Sequence, residues 1–287
     1  MIAVEDAKDK GSGFFFRIPG SNGEKMIFIK RIYLVKDRIF SFFFILFIFL
    51  FTFTFSVEAS VSGPEAFLGE KLNYNVGFWI FRKSASGSFS FKKHQKGYEA
   101  IFEAQTAGFI KLITGKKIEY MRSVMEYDSE KKMFRTLIFE ETFKDGAKEA
   151  KKEIFYDYGK RVYEVSFFRD GKKVNSTKKS MPDGHFADLL TFFYNLRNGY
   201  YGEAGVGMEL SVCALVNSTP SYIRVAVDKD GNLKKGTKYH FIFSVDRKIS
   251  AAHSDRVLSW FSEELIPVYS VIKNAYYFGD LRIRLIK

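Results

Sequence analysis

Beyond residue 66 the chain alternates apolar and polar positions with a period of two, the pattern of strands that bury one face and wet the other. Leu72, Tyr74, Val76 and Phe78 alternate with Lys71, Asn73, Asn75 and Gly77; Phe89 and Phe91 follow Gly87; Tyr98, Ala100, Phe102 and Ala104 repeat the pattern. The same reading places strands at Met133–Phe143, Glu153–Tyr158, Arg161–Phe168, Met208–Val216, Tyr222–Val227 and Tyr239–Val245, and a closing strand through Leu281, Ile283 and Leu285. Asp145-Gly146, Asp170-Gly171 and Asp230-Gly231 fall between such runs, where glycine accepts the positive φ of a tight hairpin turn. Sequential hairpins in a meandering sheet follow from this order.

One segment departs from the alternation. Phe186, Leu189, Leu190, Phe193 and Arg197 recur at helical spacing between Pro182-Asp183-Gly184 and Gly199, which predicts a single amphipathic helix over 184–198. Its apolar side needs a surface to cover, and the concave face of a curved sheet supplies one. The expected fold class is therefore mainly β: a large curved antiparallel sheet or partly open β-barrel with one amphipathic helix. Residues 60–287 read as one β-rich domain, with Lys178-Lys179-Ser180-Met181-Pro182 its most linker-like stretch.

Ahead of the domain, residues 39–55 (IFSFFFILFIFLFTFTF) run seventeen positions without a charge, preceded by Lys30, Arg31, Lys36 and Arg38. That is the basic-then-apolar order of a signal peptide, and Val57 and Ala59 stand at the small-residue positions of a cleavage site after Ala59. The run also reaches the lower length of a spanning helix, so an uncleaved anchor with its basic end in the cytoplasm stays open. Both alternatives place the domain in the periplasm or cell envelope, tethered to the inner membrane in the second. Residues 26–59 form this signal or anchor segment. Residues 1–25, mixed in charge and glycine-rich, read as a start-site artefact or disordered tail ahead of a start at Met26.

Composition adds two constraints. The net charge is +12, and without residues 1–59 the remainder carries 37 basic and 27 acidic residues, or +10. A basic exported surface meets anionic lipid headgroups, lipopolysaccharide phosphates or acidic polymers rather than nucleic acid. A merely soluble, lysine-rich surface explains the same balance. Lysine pairs at 92–93, 116–117, 131–132, 151–152, 172–173, 178–179 and 234–235 mostly adjoin predicted turns and read as solvated loop tips. Cys213 is the only cysteine, which excludes an intrachain disulfide and reads as a structural thiol inside a strand.

Candidate chemistry is sparse. His94, His185, His240 and His253 show no ligand spacing for a metal, and His185 reads as a structural histidine near the helix start. No nucleophile elbow, phosphate loop or dinucleotide fingerprint is present, and Gly202, Gly205 and Gly207 lie in a helix-to-strand loop, the wrong order for a nucleotide site. Glu140-Glu141 and Glu263-Glu264 are adjacent, so on a strand their side chains face opposite ways and read as exposed charge. No cofactor, metal or enzymatic activity is expected.

Two stretches resemble an exported bacterial family known as domain of unknown function 3108. They are Phe67-Leu68-Gly69-Glu70-Lys71-Leu72-Asn73-Tyr74-Asn75-Val76, with Gly87 leading the next strand, and Asp188-Leu189-Leu190-Thr191-Phe192-Phe193-Tyr194-Asn195-Leu196-Arg197. Trp260-Phe261-Ser262-Glu263-Glu264-Leu265-Ile266-Pro267-Val268, leading to Phe278-Gly279-Asp280-Leu281, is similar to that family's C-terminal hairpin. The resemblance implies a cell-envelope location and carries no assigned activity.

Aromatic residues make up 18% of the chain. In a sheet too wide to stay flat they line either a cavity or a solid core. The first reading is a non-enzymatic carrier of an apolar or lipid-like ligand, with Tyr74, Phe102, Phe193 and Trp260 as the lining. The alternative is an interaction module that binds envelope protein or polysaccharide through its surface and encloses nothing.

Overall fold

A computed structural model describes residues 63–286 apart from 79, 217–218, 229–232, 246–255 and 277–278. The expected signal or anchor segment, the start at Met26 and the Asp230-Gly231 turn lie outside the described residues. The strands are β1 (Lys71–Phe78), β2 (Phe81–His94), β3 (Gly97–Thr106), β4 (Lys117–Asp128), β5 (Met133–Asp145), β6 (Lys148–Asp157), β7 (Val162–Arg169) and β8 (Lys172–Ser180) in the first half. The second half holds β9 (Phe186–Ala187), β10 (Glu209–Val216), β11 (Thr219–Val227), β12 (Tyr239–Ser244), β13 (Arg256–Phe261), β14 (Pro267–Tyr276) and β15 (Gly279–Leu285). Two short helices, α1 (Gly108–Thr114) and α2 (Leu189–Arg197), accompany them, with a 3-10 turn at Pro64–Phe67.

All fifteen strands form one open, curved sheet in the order β8-β7-β6-β5-β4-β3-β2-β1-β15-β14-β13-β12-β11-β10-β9. Two antiparallel meanders, β1 to β8 and β10 to β15, are zipped together by the first and last strands, with Tyr74 opposite Leu285 and Phe78 opposite Leu281. The sheet curls until its ends approach. Phe186 of β9, at one end of the strand order, packs on Tyr163 of β7 near the other, ring centroids 5.3 Å apart. The end strand β8 is exposed along its whole length and carries Lys172, Lys173, Lys178 and Lys179. Charge on an unpaired edge opposes sheet-to-sheet association. The stretch read as linker-like is thus the end of an edge strand.

The helix is shorter than 184–198. Phe186 and Ala187 pair in parallel with Cys213 and Ala214, and Asp188 keeps an extended backbone (φ −78°, ψ 172°), so the helix starts at Leu189. Asp188 is its N-cap, accepting from the backbone N–H groups of Leu190 (2.8 Å) and Thr191 (3.1 Å). Leu189 to Leu196 are all buried, because the curled sheet contacts α2 from β3, β4, β5 and β10. A helix apolar on one side would leave a wet face; this one is enclosed and reads as a plug.

Polar side chains fix its position. Asn195 donates to the Phe134 carbonyl (2.9 Å) and accepts from the Phe134 N–H (2.6 Å), while Arg197 bridges to Glu70. His185 stands beside the helix, its Nδ1 3.1 Å from the Tyr201 hydroxyl and its Nε2 3.4 Å from the Asn195 amide. Burial pushes its pKa down to about 4, so the imidazole is neutral at physiological pH.

Candidate functional site

The four aromatic residues expected to line a cavity do not meet around one. Tyr74 and Phe102 lie on the concave face and are joined through Phe89, which is 6.1 Å from Tyr74 and 4.6 Å from Phe102 between ring centroids. Phe193 sits on α2 beneath the Arg197 guanidinium, 5.1 Å from the ring centroid. These three are part of a single apolar cluster that draws on both meanders. Trp260 is on the other face of β13: its neighbour Phe261 enters the cluster, whereas Trp260 stacks on His240 (4.4 Å, 11°). Lys234 lies over the rings of Trp260 and Tyr269 at 4.4 and 4.7 Å, closing that outer-face group.

Alternation along β4, β5 and β6 turns a second set of charges inward, where the sequence suggested exposure. Glu140 faces out and pairs with Arg122 (3.0 Å) and Lys151 (3.2 Å), while Glu141 faces the concave side, buried, with Lys152 against it. Lys117 is buried as well and pairs with Asp145 at 3.4 Å. Lys117 and Lys152 are therefore interior ion-pair partners rather than loop tips. Period-two alternation assigns such faces only once the register is known, and a bulge between Val124 and Met125 shifts it.

Glu119 lies between these pairs, 3% exposed, with a carboxylate oxygen that has no hydrogen-bond partner. Burial pushes its pKa well above the usual carboxylate range, the neighbouring Glu141 adds to the rise, and Lys152 opposes it. The raised pKa fixes the sign of a stability effect. The unfolded chain releases this proton near pH 4.3 while the fold retains it, so stability drains away as pH climbs above that value towards the folded pKa. Glu119→Gln is expected to stabilise the domain by about 1–3 kcal/mol at neutral pH and to change little near pH 4. Urea titrations at the two pH values check this, and equal effects at both would contradict it.

The rim above these charges carries the other unexpected element. The connections at residue 80, at α1, at 146–147 and at 170–171 all lie at this end of the strands, opposite the end where the chain enters β1. α1 interrupts the β3–β4 connection and buries none of its residues. Phe109, Leu112 and Ile113 are 50%, 84% and 65% exposed, and Ile80 is 67% exposed. A run of seven residues is too short for its spacing to separate helix from strand, and its advance signal is the apolar stretch Phe109-Ile110-Lys111-Leu112-Ile113 next to Gly108 and Gly115.

Among the described residues no three or more His, Cys, Asp or Glu side chains gather to hold a metal ion, and no helix is long and apolar enough to cross a membrane. Cys213 is buried and free, and its burial raises the thiol pKa.

No family model and no curated protein matches the chain. The resemblance to domain of unknown function 3108 thus rests on the motifs alone. Solved structures do show similarity. A β-barrel-like protein of domain of unknown function 1849 from Brucella abortus aligns over 76% of this chain and 94% of its own, with 11% identity and a TM-score of 0.44. A member of the DUF1089 family from Pseudomonas aeruginosa aligns over 67% of this chain and 91% of its own, with 12% identity and a TM-score of 0.35.

Proposed function

We propose that this is an exported, non-enzymatic cell-envelope protein that works through its surface, as an interaction module, rather than by carrying an apolar ligand inside. One observation carries the choice. The concave face that a carrier would keep open is occupied by α2, whose residues Leu189 to Leu196 are all buried against the sheet, and by the packed rings of Tyr74, Phe89 and Phe102. A carrier needs an apolar space matched to its cargo. Export rests on the basic-then-apolar order of residues 30–55. The +10 charge of the remainder suits anionic envelope lipids or acidic polymers better than nucleic acid, and no cofactor enters the reading.

Native mass spectrometry of the protein purified from the envelope of an expressing bacterium, with lipid extraction alongside, tests this. The mass of the bare chain is expected, unchanged on adding envelope lipids in detergent. A lipid retained at one per chain after purification would return the protein to the carrier class and make α2 a displaceable plug.

A further inference from the structure

We infer that α1 and the adjoining β1–β2 turn form a docking tip for an anionic lipid bilayer, which gives the surface module proposed above its partner and rests on that reading. Phe109, Leu112 and Ile113 follow the i, i+3, i+4 spacing that puts side chains on one helical face, and all three point to solvent. Phe81, next in the chain to the exposed Ile80, stacks on Phe109 with centroids 5.0 Å apart and planes at 17°. Exposed apolar groups gathered on one element are the mark of an interaction site.

The tip is held out rather than hanging loose. The Ala107 N–H donates to the Ser84 carbonyl (2.9 Å), and the Thr106 hydroxyl donates to the Gly115 carbonyl (2.9 Å) while accepting from the Lys117 N–H (3.0 Å). Gly108 adopts φ +54° so close to β2 that a Cβ would stand 2.5 Å from the Lys83 carbonyl oxygen. An L side chain fits neither condition.

Charge decides the occupant. Arg82 and Lys83 on β2 and Lys116 just after α1 stand near the apolar face in the chain, and Lys111 projects from the other side of the helix; all four are exposed, and none pairs with a carboxylate among the described residues. Of the acidic residues on the same rim, Asp145 pairs with Lys117, Glu149 with Lys144 (2.7 Å) and Asp280 with Lys273 (2.9 Å), while Asp170, in the β7–β8 turn, accepts from the Glu149 N–H (2.9 Å). An apolar face with basic residues near it matches acyl chains beneath anionic headgroups. A protein partner would need about 800 Å² from each side, more than a seven-residue helix and one turn present. A bilayer needs only a few inserted side chains.

The test places an environment-sensitive dye on Leu112→Cys, which labels selectively because Cys213 is buried, in the full chain reconstituted into vesicles. The dye reports locally, and the chain enters β1 at the opposite rim, so insertion of residues 39–55 does not reproduce the signal. With phosphatidylglycerol mixed into phosphatidylcholine the emission is expected to shift to the blue. With phosphatidylcholine alone it stays put, and so does the same dye on Val206→Cys. Lys111→Gln and Lys116→Gln, each removing one positive charge, should each weaken the response about fivefold.

Three results would overturn the proposal: no shift at position 112 with anionic vesicles, an equal shift in both lipids, or a dye already shielded before vesicles are added. The last would mean that the chain itself or a second copy covers the tip. A co-purifying stoichiometric lipid would instead remove the surface reading beneath, and that is visible without any dye.

Discussion

Replacing Asp188 by Ala is expected to lower the stability of the domain by about 3–5 kcal/mol, far more than a lost helix cap costs on its own. One carboxylate oxygen takes the two N–H groups of the first turn of α2. The other accepts from the hydroxyls of Ser123 (2.8 Å), Thr136 (2.5 Å) and Thr191 (2.6 Å), on β4, β5 and the helix itself. Asp188, Ser123, Thr136 and Thr191 are all fully buried. Truncation strands two N–H donors and leaves the three hydroxyls only one another (Ser123 to Thr191 3.0 Å, Thr136 to Thr191 2.8 Å), in a space that water does not reach, at about 1–3 kcal/mol for each group left without a partner before relaxation. Asp188→Asn should cost less, since its amide oxygen still caps the helix and the hydroxyls can rotate to accept from its N–H. Urea unfolding followed by circular dichroism measures both variants; a loss below about 1 kcal/mol for the alanine would show that the network does not hold the helix.

This network explains why sequence reading found α2 and misplaced its start. Spacing alone admits Phe186 into the helix, because Phe186 is apolar and falls in phase with Leu189, Leu190 and Phe193. The competing use of Phe186, as a parallel partner of Cys213, depends on the sheet curling back from 27 residues further along the chain, and no local signal carries it. The same division runs through the sheet. The β5–β6 hairpin is legible from Asp145-Gly146 and from alternation, whereas β8, exposed on both faces and without an apolar period, is not, and neither is β1 meeting β15.

Burial was harder to read than strand order. Alternation identifies that one face is apolar, and it passed over Lys117, Glu119, Glu141 and Lys152 because charges on an inward face look like charges on an outward one until the register is known. The aromatic candidates show the complementary limit. Tyr74 and Phe102 fill a core and Trp260 packs on the far side of its strand, yet all are aromatic residues in β-rich segments, so composition cannot distinguish core, cavity wall and outer face. α1 escaped for a physical reason too: about two exposed turns repeat the apolar spacing too few times to stand out from an apolar strand.

The second large effect is expected at Arg197. Its guanidinium holds Glu70 through two contacts of 2.7 Å, the Tyr194 hydroxyl donates to the same carboxylate at 3.1 Å, and the rings of Phe67 and Phe193 lie 4.9 and 5.1 Å from the cation. The Arg197 side chain is 4% exposed and that of Glu70 12%, so neither charge has water to fall back on. Arg197→Met keeps most of the apolar contact but strands the carboxylate, at an expected cost of about 3–5 kcal/mol. Adding Glu70→Leu should recover most of that loss, because a buried ion pair gains little over well-packed apolar side chains once its desolvation is counted. The cycle of single and double variants, read by urea denaturation, separates two roles for this pair. Recovery in the double variant means that the pair is tolerated and that the aromatic seat fixes the C-terminal end of α2. A double variant as weak as the single one means that the ion pair itself joins the end of the helix to the start of β1, the strand that ties the two meanders together.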